Sequence, residues 1–190
     1  MDVSRNGDAV RARYAADGWG VGELVVRGSV LLEHAFPSRQ RRLSLPGGSP
    51  LGGASNPEVT VAGNPSWECH AFVSDLCRRF GEHLGGVPTT YEDVGLDANG
   101  LSPFQHELLE AARSVGWGDV VTYGGLAVLA GRPRAARAAG TFCAKSRVSL
   151  VVPCHRIVAA GRAEPFELGG YGAPGGSLKR RLLALEGTLL

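Results

Sequence analysis

Residues 102–140 read SPFQHELLEAARSVGWGDVVTYGGLAVLAGRPRAARAAG. Ser102-Pro103 supplies an N-cap and a proline at the first helical position. Phe104, Leu108, Ala111, Ala112 and Val115 follow on one face, so a helix is expected, ended by Gly116-Trp117-Gly118. Thr122 is placed to cap a second helix, Tyr123 to Ala130, which Gly131 terminates. Pro133 opens a third, through RAARAAG. Two short helices joined by a tight turn form a helix-turn-helix pattern. Arg134 and Arg137, three residues apart, are expected on one face of that third helix. The residues around them are almost all Ala or Gly, which lets backbone approach a surface closely, while long arginines reach phosphates or enter a base stack. The bland alternative is an Ala-rich surface helix with solvated arginines.

Downstream, VSLVV (148–152) reads as a buried strand or extended segment, and Pro153-Cys154-His155-Arg156 follows directly. A free cysteine here can simply be core. The flanking imidazole and guanidinium instead favour a thiolate, the nucleophilic form of cysteine. Ser177 starts a last helix, LKRRLLALE, stopped by Gly187. Glu186 near its end is either a surface carboxylate paired with a neighbouring Arg or an acid that orients His155, as in nucleophilic triads.

Upstream, residues 85–101 are polar and turn-rich and mark the expected domain boundary. WECHAFVSDLCRRFGEHL (67–84) is amphipathic, with Trp67, Ala71, Leu76, Phe80 and Leu84 near helical spacing. Residues 46–66 hold five Gly and four Pro and read as a long loop, with VTV (59–61) a possible strand. Residues 18–36 read as a β-hairpin turning at Arg27-Gly28-Ser29. Residues 39–42 (RQRR) are basic and expected to be exposed. The expected class is α+β: a small N-terminal α/β domain with short antiparallel strands (1–101), then a mostly helical domain with the helix-turn-helix and the cysteine segment (102–190).

Composition narrows the function classes. Hydrophobic residues make up 44% of the 190 and charged residues 20%, so a wholly disordered chain is excluded. No apolar run approaches the roughly 18 residues of a membrane span. MDVSRNGDAVRARYAADGWG has no basic n-region followed by an apolar stretch, and four cysteines are too sparse for a disulfide scaffold. A reduced, intracellular setting is expected: the cytoplasm of a prokaryote, beside the nucleoid, or a nucleus. Net charge is +2, but the first 101 residues carry nine Lys and Arg against twelve Asp and Glu, a net of −3. The remaining 89 carry eleven against six, a net of +5. A basic C-terminal half points to a polyanionic partner.

Taken together, SPFQHELLEAARSVGWGDVVTYGGLAVLAG, RPRAARAAG, VVPCHRIV, GGY and LLALEG resemble the O6-alkylguanine-DNA alkyltransferase family over roughly residues 102–187. Residues 1–101 resemble that family's variable N-terminal domain only in outline. The resemblance implies a suicide repair protein that moves the alkyl group of O6-alkylguanine, and of O4-alkylthymine, in double-stranded DNA onto its own cysteine. Cys154 would be the acceptor. His155, through a water, would take the thiol proton, with Glu186 holding the imidazole. Tyr123 would donate to the leaving guanine. Arg137 would replace the extruded base, with Thr122, Arg134, Ala136, Ala138 and Ser146 at the DNA. Pro153, Ile157, Arg156 and Tyr171 would line the pocket, with the carbonyls of Cys154 and Ile157 accepting from the guanine amino group. A single chain with no cofactor is implied.

Two departures stand out. The family's usual Asn before the active-site strand is Ser146 here, a shorter brace, and the 161–177 loop looks longer than usual. Some relatives carry an N-terminal zinc, but Cys69, His70, Cys77 and His83 do not match a common zinc spacing, so no metal is expected. The competing readings are a protein that recognises alkylated guanine without transfer, and a Cys-His hydrolase or thiol transferase unrelated to DNA. Non-transferring relatives replace the cysteine, commonly by Trp, whereas Cys154 is present. The basic helix-turn-helix half disfavours the third reading.

Overall fold

A computed structural model describes residues 9–46, 48–50, 59–63, 65–161, 166–168 and 176–188, with backbone alone for 48–50 and 166–167. The chain divides into two compact units, Met1–Asp97 and Ala98–Leu190. Among the described residues no helix is long and apolar enough to cross a membrane.

The first unit is a six-stranded sheet with one long helix. Its strands are β1 (Val10–Ala16), β2 (Gly20–Arg27), β3 (Val30–Ser38), β4 (Gly48–Pro50), β5 (Val59–Ala62) and, beyond the helix α1 (Trp67–Leu84), β6 (Gly95–Leu96). The order is β4-β5-β1-β2-β3-β6, antiparallel except for the β3–β6 pair. The expected hairpin is β2–β3, with Gly28 at φ +58° in its turn. Strand β1 was not anticipated. Its signal is period-two alternation: Ala12, Tyr14 and Ala16 are buried, while Arg11 and Arg13 between them reach Glu23 on β2. The 46–66 segment is not all loop, since backbone pairing in β4 meets β5 there.

Helix α1 begins at its Ser66 cap, but its buried face differs from the expected one. Trp67 is 76% exposed and Ala71 is also exposed. The face that packs inward is Cys69, Val73, Leu76, Cys77, Phe80, His83 and Leu84. Phe80 lies in a ring cluster with Tyr14, His34 and Tyr91, and Tyr14 and His34 share a 2.7 Å hydrogen bond. Gly22 faces Tyr14 across β1–β2, because a Cβ there would sit 2.3 Å from the Tyr14 ring. Cys69 and Cys77 belong to this packed face, and the Tyr91 hydroxyl lies 3.3 Å from His83 Nδ1.

The second unit is helical around a small sheet. Helix α2 (Pro103–Arg113) has a full capping box between Ser102 and Gln105. Strand β7 (Val121–Thr122) leads into α3 (Tyr123–Leu129), whose Thr122 Oγ1 accepts from Gly125 N at 3.0 Å, and Gly131 (φ +71°) follows it. Helix α4 is Ala136–Lys145, so it starts later and runs further than expected. Residues 132–135 form a turn closed by Ala135 N donating to Arg132 O, because nothing before Ala136 provides a side-chain cap. The buried VSLVV segment is likewise not a strand. It turns through Leu150 (φ +69°), with Val152 N bonded to Val148 O. The extended partner of β7 is instead β8 (Ile157–Ala160), parallel to it, and β9 (Phe166–Glu167) completes a three-stranded sheet. Helix α5 (Gly176–Leu185) buries Leu178, Lys179, Leu182 and Leu183. With Leu108, Ala112, Leu126, Ala139, Leu150 and Ile157 these side chains form the core of the unit.

Candidate active site

Cys154 sits on a backbone folded twice in quick succession. Pro153 (φ −79°, ψ 59°) is the centre of an inverse γ-turn in which Cys154 N donates to Val152 O at 2.8 Å. One 3-10 turn, Cys154–Arg156, follows at once, and Ile157 opens β8. The proline ring fixes the φ that this turn requires. Cys154, His155 and Arg156 are all buried, so three chemically active side chains leave one tight turn inside the unit.

Two of them converge on Glu186. His155 Nε2 lies 2.8 Å from Glu186 Oε1, and the carboxylate acceptor makes Nε2 the protonated nitrogen. Arg156 grips both carboxylate oxygens at 2.9 Å and donates to Val115 O at 2.7 Å. All three groups are at most 6% exposed. A carboxylate so enclosed is retained because each oxygen is hydrogen-bonded and two partners are cationic or polarised. Glu186 thus fixes the His155 ring, and the Arg156 side chain is engaged in that clamp, with its guanidinium 5.9 Å from the Trp117 ring. The expected His155–Glu186 pairing is formed between the turn and the residue just past α5.

Around the sulfur stand groups from three further elements. The Cys154 thiol is held below its ordinary range, against burial, by the Cys143 thiol on α4, the Ser146 hydroxyl at the end of α4 and the ammonium of Lys179. Cys143 is the protonated partner: its bond to Cys154 and its burial both push its thiol up. Ser146 therefore acts here as a donor to sulfur. Tyr123, half-buried at the first position of α3, is pushed up to about 12 by burial and then by the two sulfurs, so it is a neutral hydroxyl across the physiological range. Gly140 on α4 lies against its ring, where a Cβ would come within 3.8 Å.

Lys179 was not anticipated. It is wholly buried, donates to the Ile157 carbonyl and lies 5.5 Å over the Tyr123 ring. Burial lowers its ammonium to about 8. The signal was legible in LKRRLLALE: positions 179, 182, 183 and 186 fall on one helical stripe, and a charge on an apolar stripe needs an interior partner. Ile157 O thus already accepts one hydrogen bond, and a carbonyl has room for a second. Cys143, one of a sparse set of thiols, gave no such signal.

The residues expected at DNA fall on a different surface. Arg137 and Ala138 are exposed on the first turn of α4, and Ala136 is half-buried beside them. Arg134 is exposed in the turn before the helix, so it does not share a helical face with Arg137 as the spacing suggested. Thr122 caps α3. Tyr171 and most of the 161–177 loop lie outside the described residues.

A helix-turn-helix with an exposed arginine, built over a buried, hydrogen-bonded cysteine, defines a DNA-binding protein with a thiol nucleophile. The family model for the 6-O-methylguanine DNA methyltransferase DNA-binding domain matches residues 103–188. The chain is 38% identical over 134 residues to a methylated-DNA–protein-cysteine methyltransferase of Methanopyrus kandleri, covering 70% of this chain and 95% of that one. It is 36% identical over 121 residues to the protein of that name from Metallosphaera sedula, 64% of this chain and 71% of the other. A crystal structure of Mycobacterium tuberculosis OGT in complex with DNA superposes with a TM-score of 0.65 at 27% identity, over 92% of this chain and 91% of that one. The chain belongs to the methylated-DNA–protein-cysteine methyltransferase family.

Proposed function

We propose that this chain repairs O6-alkylguanine in double-stranded DNA by moving the alkyl group irreversibly to its own Cys154. The observation that carries the reading is the buried turn Cys154–Arg156, whose His155 ring is fixed by Glu186 and whose thiol is held below its ordinary range by the Cys143 and Ser146 donors. These donors favour thiolate, and thiolate is the form that displaces guanine from carbon.

The alkyl group on O6 lies within the base stack, so the nucleotide must be extruded at a cost of a few kcal/mol. Arg137, exposed on the first turn of α4, fills the vacated position, and the small side chains of Ala136 and Ala138 let the helix come close. Arg134, Thr122 and the cap end of α3 meet the backbone, and Pro153, Ile157 and Tyr171 bound the base. His155 takes the thiol proton through a water at the ring nitrogen that does not face Glu186. The sulfur–carbon bond forms as the carbon–O6 bond breaks, and the electron pair stays on guanine. Tyr123, held neutral, donates to the departing base. The product is a thioether that water does not cleave, so one chain repairs one lesion. Every group in this scheme comes from this chain, so it acts as a monomer, and the acceptor is the protein itself, so no cofactor takes part.

Intact-protein mass spectrometry after incubation with duplex DNA carrying one O6-methylguanine tests the reading. One methyl group is expected per chain, on the Cys154 peptide, and Cys154→Ala is expected to bind the duplex without gaining mass. Undiminished methylation of that variant would remove Cys154 from its role. Tight lesion binding by the unaltered chain with no mass gain would favour the non-transferring reading.

A further inference from the structure

The basic RQRR segment plays no part in alkyl transfer. It directly follows β3, with Arg39, Gln40 and Arg42 exposed and Arg41 half-buried. The chain turns here, because Arg41 N donates to Ser38 O at 3.2 Å and Gln40 N to Ser38 Oγ at 3.3 Å. The turn borders an open cavity of about 670 Å³, lined by Arg13, Gln40, Arg41, Arg42 and Ser44 with two apolar residues, Leu45 and Pro46.

Two of its three guanidinium groups are fixed in place. Arg13 Nε donates to Glu23 Oε2 at 2.7 Å, and its Nη1 spans the carbonyls of Arg42 and Ser44 at 3.1 and 2.8 Å. Arg41 Nη1 donates to the Val21 and Phe36 carbonyls at 2.7 and 2.9 Å. A guanidinium has five N–H donors, so these bonds leave Nη2 of Arg13 and both Nε and Nη2 of Arg41 for another acceptor. The Arg42 side chain makes no hydrogen bond or ion pair among the described residues. Charge is left over as well. On α1, Arg78 and Arg79 are paired with Asp75, Glu82 and Asp93. At the cavity one carboxylate, Glu23, is shared between Arg11 and Arg13, and the acceptors of Arg41 are neutral carbonyls. Carbonyls orient a guanidinium without cancelling its charge.

We propose that this cavity is a second DNA contact, on the first unit, which takes a phosphate of the duplex backbone between Arg13, Arg41 and Arg42. Phosphate oxygens are what planar N–H forks match in pairs. Among the described residues no aromatic side chain lines the cavity, so the base of a free nucleotide or single strand has nothing to stack on. Leu45 and Pro46 are too little apolar surface to seat an acyl chain. An open basin suits a polymer that runs past it, and a phosphate contact holds the duplex without reading its sequence. The contact rests on the chain's binding DNA and not on alkyl transfer, so undamaged duplex is the probe.

The test titrates the full-length chain against a short undamaged duplex at several salt concentrations. Arg42→Ala is expected to weaken binding about eight-fold at roughly 0.1 M salt and about four-fold at roughly 0.2 M, and to reduce the slope of log K against log salt by about 0.9, the counterion release of one phosphate. Arg42→Lys keeps the charge and is expected to keep the slope. Gln40→Glu puts a carboxylate into the cavity without removing an arginine and is expected to weaken binding in the same salt-dependent way. Both positions are exposed, and thermal melting of each variant guards against a folding defect. An unchanged slope in both Arg42→Ala and Gln40→Glu would overturn the proposal. So would a loss of the same size at every salt concentration, because a phosphate contact weakens as salt rises. If replacing Arg134 and Arg137 leaves the slope unaltered while Arg42→Ala lowers it, the helix-turn-helix reading fails and this one stands.

Discussion

Lys179 shows how one residue sets a balance that no local rule supplies. Its stem lies on the apolar stripe of α5 and its ammonium ends on the Ile157 carbonyl. Burial lowers the ammonium to about 8, so the folded chain releases this proton well before the unfolded chain does. Above about pH 8 the unfolded state therefore holds more protons at this position, and the stability contributed by Lys179 rises with pH up to the ordinary lysine range. Tyr123 and Cys143 act in the opposite sense, since their raised values keep protons on the folded chain. A difference measurement isolates Lys179. Relative to Lys179→Met, the unaltered chain is expected to gain roughly 1 kcal/mol of stability between pH 8 and pH 9. Urea midpoints of the two proteins at each pH check it, and a constant difference would place the ammonium in water.

At the scale of elements, α4 carries two functions on its two sides. Its inner side, Ala139, Phe142 and Cys143, packs into the core and brings a thiol to Cys154. Its outer side presents Arg137 and Ala138. The helix begins at Ala136 with no side-chain cap, which leaves first-turn N–H groups open to an acceptor outside the chain. If Arg137 replaces an extruded base, its value exists only in a duplex. Arg137→Ala is thus expected to slow methyl transfer from duplex DNA ten-fold or more, about 1.4 kcal/mol in the barrier, while reaction with free O6-benzylguanine stays near the unaltered rate. Single-turnover rates on both substrates decide it, and equal losses would end the role of Arg137 as the inserted residue.

At the scale of the whole molecule, charge is divided where the chain divides. The acidic balance of the first 101 residues and the basic balance of the rest nearly cancel. Duplex affinity is thus expected to come mainly from the C-terminal half and to fall with salt, with a slope of log K against log salt near −0.9 per phosphate neutralised. Replacing Arg134 and Arg137 together by Ala is expected to reduce that slope by up to about two phosphates' worth. Titrations at several salt concentrations measure it, and an unchanged slope would move the contact surface off this helix-turn-helix.

The chain order of its punctuation determined much of this protein. Ser102-Pro103, Thr122, Gly131 and Gly187 act through the backbone of their own neighbours, so their helix ends were legible without a fold. The same holds for the β2–β3 hairpin and for the grouping of Pro153, Cys154, His155 and Arg156, which are consecutive. Tertiary structure decided what depends on distant partners. VSLVV has the residues of a strand, yet among the described residues it joins no named strand, and it turns at Leu150. The face of α1 was set by where the rings of Tyr14 and His34 stand, which left Trp67 outside. Arg156 carries a charge that could have faced substrate, but Glu186, thirty residues on, and Val115 claim it. Lys179 reaches the Ile157 carbonyl only because α5 packs against the turn that carries Cys154. Local sequence fixes backbone conformation through short-range sterics and hydrogen bonds, whereas the surroundings of a buried sulfur are assembled by packing, which periodicity alone does not specify.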